Sequence, residues 1–152
     1  MKNKALFLDR DGVINVAAPE GDYILSRAAF RLQPSSIPLI RFARAAGYLV
    51  IVVTNQRCVS LGLLSEENLE GIHMHMRELL KAEDADVDAV YFCVHGDEDA
   101  CACRKPKPGM LLVAAHDFNI DLSASVMIGD KESDMEAGRA AGCKTNIVWK
   151  NS

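Results

Sequence analysis

Five short apolar runs alternate with four longer stretches of helical periodicity, and this alternation constrains the fold more than any other feature of the chain. Each run is aliphatic or β-branched and ends abruptly at polar residues; the runs cover residues 4–8, 48–53, 89–93, 125–129 and 145–149. Such runs are typical of strands buried on both faces of a parallel sheet. Because aromatic residues make up only 6% of the chain, we expect a mainly aliphatic core.

The stretches between the runs carry apolar residues three and four positions apart, as amphipathic helices do. We predict that Ser35 or Ser36 caps the first helix. Its apolar positions are Leu39, Ile40, Phe42 and Ala43. Ser65 is placed to cap the second helix, and Pro108 suits the first turn of the third. The fourth helix is predicted over residues 133–141.

Alternating strands and helices predict an α/β fold, a three-layer Rossmann-like parallel sheet with helices on both faces. The 152 residues are typical of one domain, so we expect residues 1–152 to form a single domain. Only 42 residues separate Asp11 from Thr54, and the predicted first helix uses about a dozen of them. A cap of about 60 residues does not fit there. We therefore expect no separate cap domain and an open site.

The charge of the chain gives no reason to expect a nucleic-acid or membrane partner. Basic and acidic residues are well mixed, 17 against 21, and the net charge is −4. The first apolar run meets Asp9 after about four residues, unlike a signal peptide. No segment approaches the roughly 20 apolar residues of a membrane span. We expect a cytoplasmic, monomeric protein.

Unusual polar residues follow four of the predicted strands. In open parallel sheets the site lies beyond the carboxyl ends of the strands, so these residues are expected to meet. They are Asp9-Arg10-Asp11-Gly12, Thr54-Asn55-Gln56, the Cys/His segment with Arg104-Lys105, and Gly129-Asp130-Lys131. Alone, each is also typical of a solvated turn or a helix cap. Together, the carboxylates suit Mg²⁺ and the cations suit phosphate oxygens, so a small phosphorylated metabolite is the expected partner.

At this point the chain resembles a known family. Leu8-Asp9-Arg10-Asp11-Gly12, Val53-Thr54-Asn55-Gln56, Lys105 and Ile128-Gly129-Asp130-Lys131-x-x-Asp134 are similar to the four motifs of the haloacid-dehalogenase-like (HAD-like) phosphatases. The stretch Cys-Ala-Cys-Arg-Lys-Pro-Lys-Pro-Gly-Met, preceded by Cys-x-His, resembles their zinc-bearing branch. That branch includes heptose bisphosphate 7-phosphatases and histidinol-phosphate phosphatases. The resemblance covers about residues 4–149.

The resemblance implies a role for each matching residue. Asp9 would be the nucleophile that forms an aspartyl-phosphate, and Asp11 would be the acid/base. Asp9, the main-chain carbonyl of Asp11 and Asp130 would hold Mg²⁺, with Asp134 close behind them. Thr54 and Lys105 would bind the transferring phosphoryl group. The substrate side would be lined by Asn55, Gln56, Arg57, Arg104 and Lys131.

Three cysteines and one histidine lie within eleven residues, as Cys93, His95, Cys101 and Cys103. Three thiols and an imidazole are a suitable ligand set for tetrahedral Zn²⁺, and four protein ligands leave no position for a reacting water. The ion would be structural and would staple the loop that precedes Arg104 and Lys105. A disulfide and a cysteine-rich turn without metal are the alternatives. Cysteines in a reducing compartment favour the metal.

The implied activity is Mg²⁺-dependent hydrolysis of a phosphomonoester, with the 7-phosphate of D-glycero-D-manno-heptose 1,7-bisphosphate as the expected target. Histidinol phosphate or another small sugar or alcohol phosphate is the alternative substrate. A different class also stays open, namely an inactive zinc-stabilised binding module or a receiver-like phosphate acceptor. Tyr23 and Arg27 are further candidates for contacting the end of the substrate that does not react. His73, His75 and His116 are expected to be ordinary helix residues. Cys58 and Leu61 depart from what the resembling proteins usually carry in the substrate loop.

Overall fold

A computed structural model describes residues 1–148. Five parallel strands form one sheet in the order β3-β2-β1-β4-β5. The strands are β1 (Ala5–Leu8), β2 (Leu49–Asn55), β3 (Ala89–Cys93), β4 (Val126–Gly129) and β5 (Lys144–Ile147). The helices are α1 (Ser36–Ala45), α2 (Glu66–Ala82), α3 (Gly109–Phe118) and α4 (Glu132–Ala141), with a short 3₁₀ turn, Leu122–Ala124, before β4.

The two faces of the sheet bury different residues of the same strands. Successive side chains of a strand point to opposite faces. Leu6, Leu8, Val50 and Val52 therefore share one core with α1 and α2. Ala5, Phe7, Ile51 and Val53 share the other core with α3 and α4. The predicted three-layer α/β sheet is confirmed, and the core is mainly aliphatic.

Some bounds of the predicted strands and helices differ from those in the structure. β2 runs on through Thr54 and Asn55, because these residues pair with Phe92 and Cys93 of β3. The last strand begins at Lys144, and the predicted end at residue 149 lies outside the described residues. Helix α3 begins at Gly109, with Pro108 as the residue before it.

Helix α1 contradicts two predictions. Ser35 has helical backbone angles and its hydroxyl makes no cap hydrogen bond, while the Ser36 hydroxyl donates to the Gln33 carbonyl at 2.7 Å. The chain already turns before the helix, so neither hydroxyl can cap it. Phe42 is 75% exposed, because a residue two positions from buried Ile40 points to the opposite side of the helix. By contrast, Ser65 caps α2 as predicted, accepting from the Asn68 N–H at 3.1 Å.

The strand order places β1 at the centre of the sheet, between β2 and β4. The residues that follow β1 therefore have neighbours on both sides. Residues 9–35, between β1 and α1, form an irregular segment rather than a domain of their own. Among residues 1–148, no helix is long and apolar enough to cross a membrane.

Candidate active site

A cavity of about 720 Å³ opens at the carboxyl edge of the sheet. Residues that follow β1, β2 and β4 line it together with Lys105 from the loop after β3, as the strand-end rule predicts. The rest of the lining comes from the flap, defined as residues 17–24, and from the loops that carry Arg57, Asp97 and Arg104. The site is thus shaped by three loops and not by a second layer of structure.

Lys105 is the central cation of the cavity and is only 4% exposed. Its Nζ donates to Asp9 Oδ1 and to the Val53 carbonyl, both at 2.9 Å, and lies 2.6 Å from Asp134 Oδ1. Burial alone would lower the pKa of Lys105, but the charges of Asp9 and Asp134 outweigh burial and raise it. The ammonium therefore stays charged and holds the Asp9 carboxylate in place.

Asp9, Asp130 and Asp134 form an acidic cluster in which one carboxylate oxygen from each residue lies within 4.8 Å of the other two. Burial and the charge of Asp9 raise the pKa of Asp134, even though Lys105 lies beside it. The cluster therefore holds more negative charge than one lysine offsets. A divalent cation with oxygen ligands fits this donor set.

Asp134 is fixed by the start of α4. Its Oδ2 accepts from the main-chain N–H groups of Asp130 at 3.2 Å and Lys131 at 3.1 Å. A carboxylate accepting N–H bonds at a helix N-terminus is favoured by the helix dipole. Asp134 consequently couples the backbone of the Asp130 loop to Lys105.

Asp11 lies beside this cluster in a separate hydrogen-bond network. Its Oδ1 accepts from Arg10 Nη2 at 2.8 Å, Arg10 Nε at 3.1 Å and Asn15 Nδ2 at 2.9 Å, and its Oδ2 accepts from Gln56 Nε2 at 3.1 Å. Burial would raise the pKa of Asp11, but the charge of Arg10 and the hydrogen bonds from Asn15, Arg10 and Gln56 outweigh it and lower the pKa.

The end of β2 positions the next three polar residues in different ways. Thr54 is buried, and its Oγ1 accepts from Gln56 Nε2 at 3.0 Å. Asn55 is bonded to the backbone of Lys105 in both directions, donating to its carbonyl at 3.2 Å and accepting from its N–H at 3.0 Å. Gln56 is buried against Asp11 and Thr54, and neither Gln56 nor Thr54 lines the cavity.

The Cys/His residues come together as predicted, with one ligand atom from each of the four within 4.8 Å of the others. His95 Nδ1 lies 3.4 Å from Cys93 Sγ and 3.3 Å from Cys103 Sγ, and Cys93 Sγ lies 3.8 Å from Cys101 Sγ. Sulfur ligands of a tetrahedral Zn²⁺, at about 2.3 Å from the ion, are about 3.8 Å apart, and the Cys93–Cys101 pair has this spacing. The Sγ atoms of Cys93 and Cys103 are also in direct contact, as in an oxidised pair.

A family model described as HAD-hydrolase-like matches residues 102–151. A D-glycero-β-D-manno-heptose-1,7-bisphosphate 7-phosphatase of Helicobacter pylori is 42% identical over 96% of this chain and 83% of its own length. The corresponding α-anomer phosphatase of Burkholderia mallei is 43% identical over 97% and 80%.

The chain belongs to the HAD-like phosphatases. A solved D,D-heptose 1,7-bisphosphate phosphatase of B. bronchiseptica, in complex with magnesium and phosphate, superposes with a TM-score of 0.86. It is 35% identical and covers 93% of this chain and 78% of its own. The resemblance read from the motifs is confirmed, and the protein is an enzyme that hydrolyses phosphate esters.

The basic residues of this HAD-like phosphatase are divided between the rim of the cavity and other surfaces. Arg57, Arg104 and Lys131 line the cavity. Arg104 Nε donates to Asp97 Oδ1 at 2.7 Å, and Arg104 Nη1 donates to the His95 carbonyl at 3.2 Å. Arg27 lies instead beside α2, in a shallow groove next to Gly71.

Sequence reasoning missed three residues that hold the site of this HAD-like phosphatase together. Arg10 and Asn15 are fully buried and bind Asp11, and His73 of α2 is buried against Arg10. The sequence predicts an ordinary helix residue at His73, whereas the structure places it against Arg10. A usable signal existed for Arg10, because a cation between two aspartates right after a buried strand is well placed to pair with one of them. No local pattern connects His73 to the site.

Proposed function

We propose that the enzyme removes the 7-phosphate of D-glycero-D-manno-heptose 1,7-bisphosphate through an aspartyl-phosphate on Asp9. The observation that carries this proposal is the buried Asp9–Lys105 pair beside Asp130, with Asp11 two residues further along the chain. A nucleophilic carboxylate held by a cation, with a second carboxylate close by, suits attack on phosphorus followed by release.

Each step then has a group from this chain. Asp9 attacks phosphorus, the bond from phosphorus to the leaving oxygen breaks, and Asp11 gives that oxygen the proton that it took from water in the preceding turnover. Asp11 next takes a proton from water as the water oxygen attacks phosphorus. The bond between phosphorus and the Asp9 oxygen breaks, which releases inorganic phosphate and restores the Asp9 carboxylate. Lys105 and the Thr54 hydroxyl are the proposed contacts for the phosphoryl oxygens.

Mg²⁺ is the cofactor that suits the acidic cluster. We propose that Asp9, the main-chain carbonyl of Asp11 and Asp130 hold it, while Asp134 fixes the Asp130 loop. When bound, the ion offsets charge on the transferring phosphoryl group. The B. bronchiseptica relative, which was solved with magnesium and phosphate, supports this proposal.

Zn²⁺ is proposed for the Cys/His cluster, with Cys93, His95, Cys101 and Cys103 as its ligands. A disulfide between Cys93 and Cys103 would use only two of these residues, whereas zinc uses all four. The ion would be structural, because no ligand position is left for a reacting water. Metal analysis and a thiol titration distinguish the two: one zinc per chain supports the proposal, and zinc-free protein with two oxidised thiols refutes it.

The choice of a bisphosphate rests on the relatives and on the rim. Both curated relatives are named for heptose 1,7-bisphosphates, one for each anomer. Arg57, Arg104 and Lys131 suit a second phosphate at the end that does not react, and Asn55 lines the same cavity. Gln56 supports the site from behind through Asp11 and Thr54.

We also propose that the enzyme acts as one domain and as a cytoplasmic monomer. A single sheet separates the two cores, which supports one folding unit. Thiols used as metal ligands suit a reducing compartment. Light scattering that gave a dimer mass would refute the monomer.

The test is kcat/KM measured on a panel that contains both heptose bisphosphate anomers, histidinol phosphate and 4-nitrophenyl phosphate. We expect one heptose bisphosphate to be preferred by at least about tenfold, because a second anchored phosphate adds on the order of 1.5–3 kcal/mol. Preference for histidinol phosphate would refute the substrate, although not the chemistry.

Asp9→Asn tests the chemistry itself. We expect the loss of turnover to exceed about 10³-fold, since the amide is not a nucleophile. The control is Asp84→Asn, the same change at an exposed residue that follows α2, which should keep full turnover. If the wild-type protein instead formed a stable phosphoprotein and released no phosphate, the receiver-like alternative would be favoured.

A further inference from the structure

We infer that His73 is a positioning residue for the general acid Asp11 and acts on it through the buried guanidinium of Arg10. The inference rests on the acid/base role proposed above for Asp11. It concerns three residues from two separate parts of the fold, the loop after β1 and the middle of α2.

Arg10 is the starting point because it is fully buried and has little freedom to choose partners. A buried guanidinium must be paired, since leaving its charged donors unsatisfied is strongly destabilising. Its Nε and Nη2 are committed to Asp11 Oδ1, and Nη1 lies 3.1 Å from His73 Nε2. The Cζ atom of Arg10 also lies over the Phe30 ring, 5.8 Å from the ring centroid.

His73 can accept from Arg10 only as the neutral imidazole. Burial and the charge of Arg10 lower the pKa of His73 to about 3, so the ring is neutral at working pH. Nε2 is then the acceptor, and the proton lies on Nδ1. The ring is itself held by the Phe92 ring of β3, with 5.6 Å between centroids. His73 is therefore a fixed acceptor against which Arg10 is oriented.

The consequence falls on one oxygen of Asp11. Oδ1 already accepts three hydrogen bonds, two from Arg10 and one from Asn15, whereas Oδ2 accepts one from Gln56. Oδ2 is thus the oxygen left to exchange a proton with the leaving group. If Arg10 turns, Oδ1 loses two of its three donors, and the carboxylate can rotate away from the reacting geometry.

A leaving-group comparison separates this positioning role from a merely structural one. An alkyl ester needs a proton on its leaving oxygen, whereas 4-nitrophenolate leaves without one. For His73→Leu we expect kcat/KM on heptose bisphosphate and on glycerol 2-phosphate to fall about 10- to 100-fold, because a positioned acid contributes at least that much. On 4-nitrophenyl phosphate we expect a fall of less than about threefold.

Rescue and matched controls complete the experiment. His73→Gln places an amide oxygen where Nε2 accepts, so it should restore the alkyl rates to within about threefold. Ile72→Ala is the packing control on the same helix; it should lower the unfolding temperature and leave the alkyl-to-aryl ratio unchanged. If His73→Leu does not fold, His73→Asn, which is one methylene shorter than Gln, replaces it with the same expectation.

The outcomes are distinct. Equal losses on alkyl and aryl esters, no loss on either, or failure of His73→Gln to restore the rate would overturn the positioning role. Asp11→Asn is measured alongside to test the proposed function separately. If Asp11→Asn keeps its alkyl turnover, the acid/base assignment is wrong. If Asp11→Asn loses its turnover of alkyl esters while His73→Leu keeps the alkyl-to-aryl ratio of the wild type, only the inference about His73 fails.

Discussion

Individual residues in this enzyme are constrained by how closely charged side chains approach the backbone. Gly12 shows this most directly, because a Cβ built on it would overlap the Asp130 carboxylate. Its φ of +89° also lies in the left-handed region, which favours glycine. The loop after β1 can therefore come close enough to β4 to bring Asp9 and Asp130 together.

Comparing Gly12→Ala with Gly142→Ala should separate the steric contact with Asp130 from the backbone strain. We expect turnover to fall at least about 100-fold, because Asp130 must move, and stability to fall by about 1 kcal/mol from the backbone strain. Gly142→Ala, with φ +93° and nothing within 4 Å of the added Cβ, shares only the strain. Steady-state kinetics and chemical denaturation of both variants provide the check; equal kinetics in the two would contradict the explanation.

His73 should make stability depend on pH. Its folded pKa, about 3, is below the ordinary value of 6.5, so the unfolded chain binds more protons between these values and stability falls as the pH drops through this window. At pH 5 the free energy of unfolding should be lower by about 2 kcal/mol because of His73. Arg10 and Asp11 are the charged groups that act on His73.

The measurement compares free energies of unfolding at pH 7.5 and pH 5. His73→Gln should lose about 2 kcal/mol less than the wild type over this interval. His75→Gln, the same change two residues along α2, should behave like the wild type. An identical pH dependence in all three proteins would show that His73 is not the group responsible.

Among the elements, the segment between β3 and α3 connects structure to catalysis. The Cys/His cluster lies on this segment, and Cys103 is followed by Arg104 and Lys105. The N–H of Gly109, where α3 begins, donates to the Ala102 carbonyl at 3.0 Å, and a Cβ on Gly109 would overlap that carbonyl. The segment is thus held at both ends, and Lys105 lies between them.

Cys101→Ser should remove the proposed zinc and loosen Lys105. We expect turnover to fall at least about tenfold, because catalytic groups displaced by about 1 Å lose rate steeply. The change in unfolding free energy should be smaller than the change in activation free energy. Metal analysis, kinetics and denaturation are measured together, with Cys143→Ala, outside the cluster, as the control. Unchanged kinetics in zinc-free protein would contradict this role.

At the scale of the whole molecule, strand order decides which charges meet. β1 lies between β2 and β4, so Asp9 has Thr54 on one side and Asp130 on the other, although Asp130 is 121 residues away along the chain. Three carboxylates beside one lysine repel one another in the folded state. The fold therefore carries an electrostatic cost that a divalent cation would offset.

Mg²⁺ should accordingly stabilise the whole domain. At 100 times its dissociation constant we expect about 2.7 kcal/mol, or about 5–10 °C in the unfolding temperature. Asp130→Asn should abolish this increase, whereas Asp84→Asn should keep it. Calorimetry with and without Mg²⁺ measures both, and an increase that persists in Asp130→Asn would exclude Asp130 as a ligand.

Much of this arrangement could be predicted, and particular residues show why. The five strands and four helices were predicted because hydrophobic periodicity is local, and the Cys/His set was predicted because its donors are close in sequence. The predicted caps of α1 were wrong because the chain already turns before the helix, and Ser35 has helical backbone angles. The end of β2 was wrong because pairing with β3 decides it.

The sequence alone determined the fold class, the family and the kinds of charge at the strand ends, since these depend on residue type and spacing. Only the tertiary structure decided that Gln56 faces Asp11 instead of the cavity, and that His73 meets Arg10. Arg10 and His73 are 63 residues apart, and α2 must pack on the sheet before they can touch. Contacts of this kind follow from strand order and helix packing, which no short stretch of sequence contains.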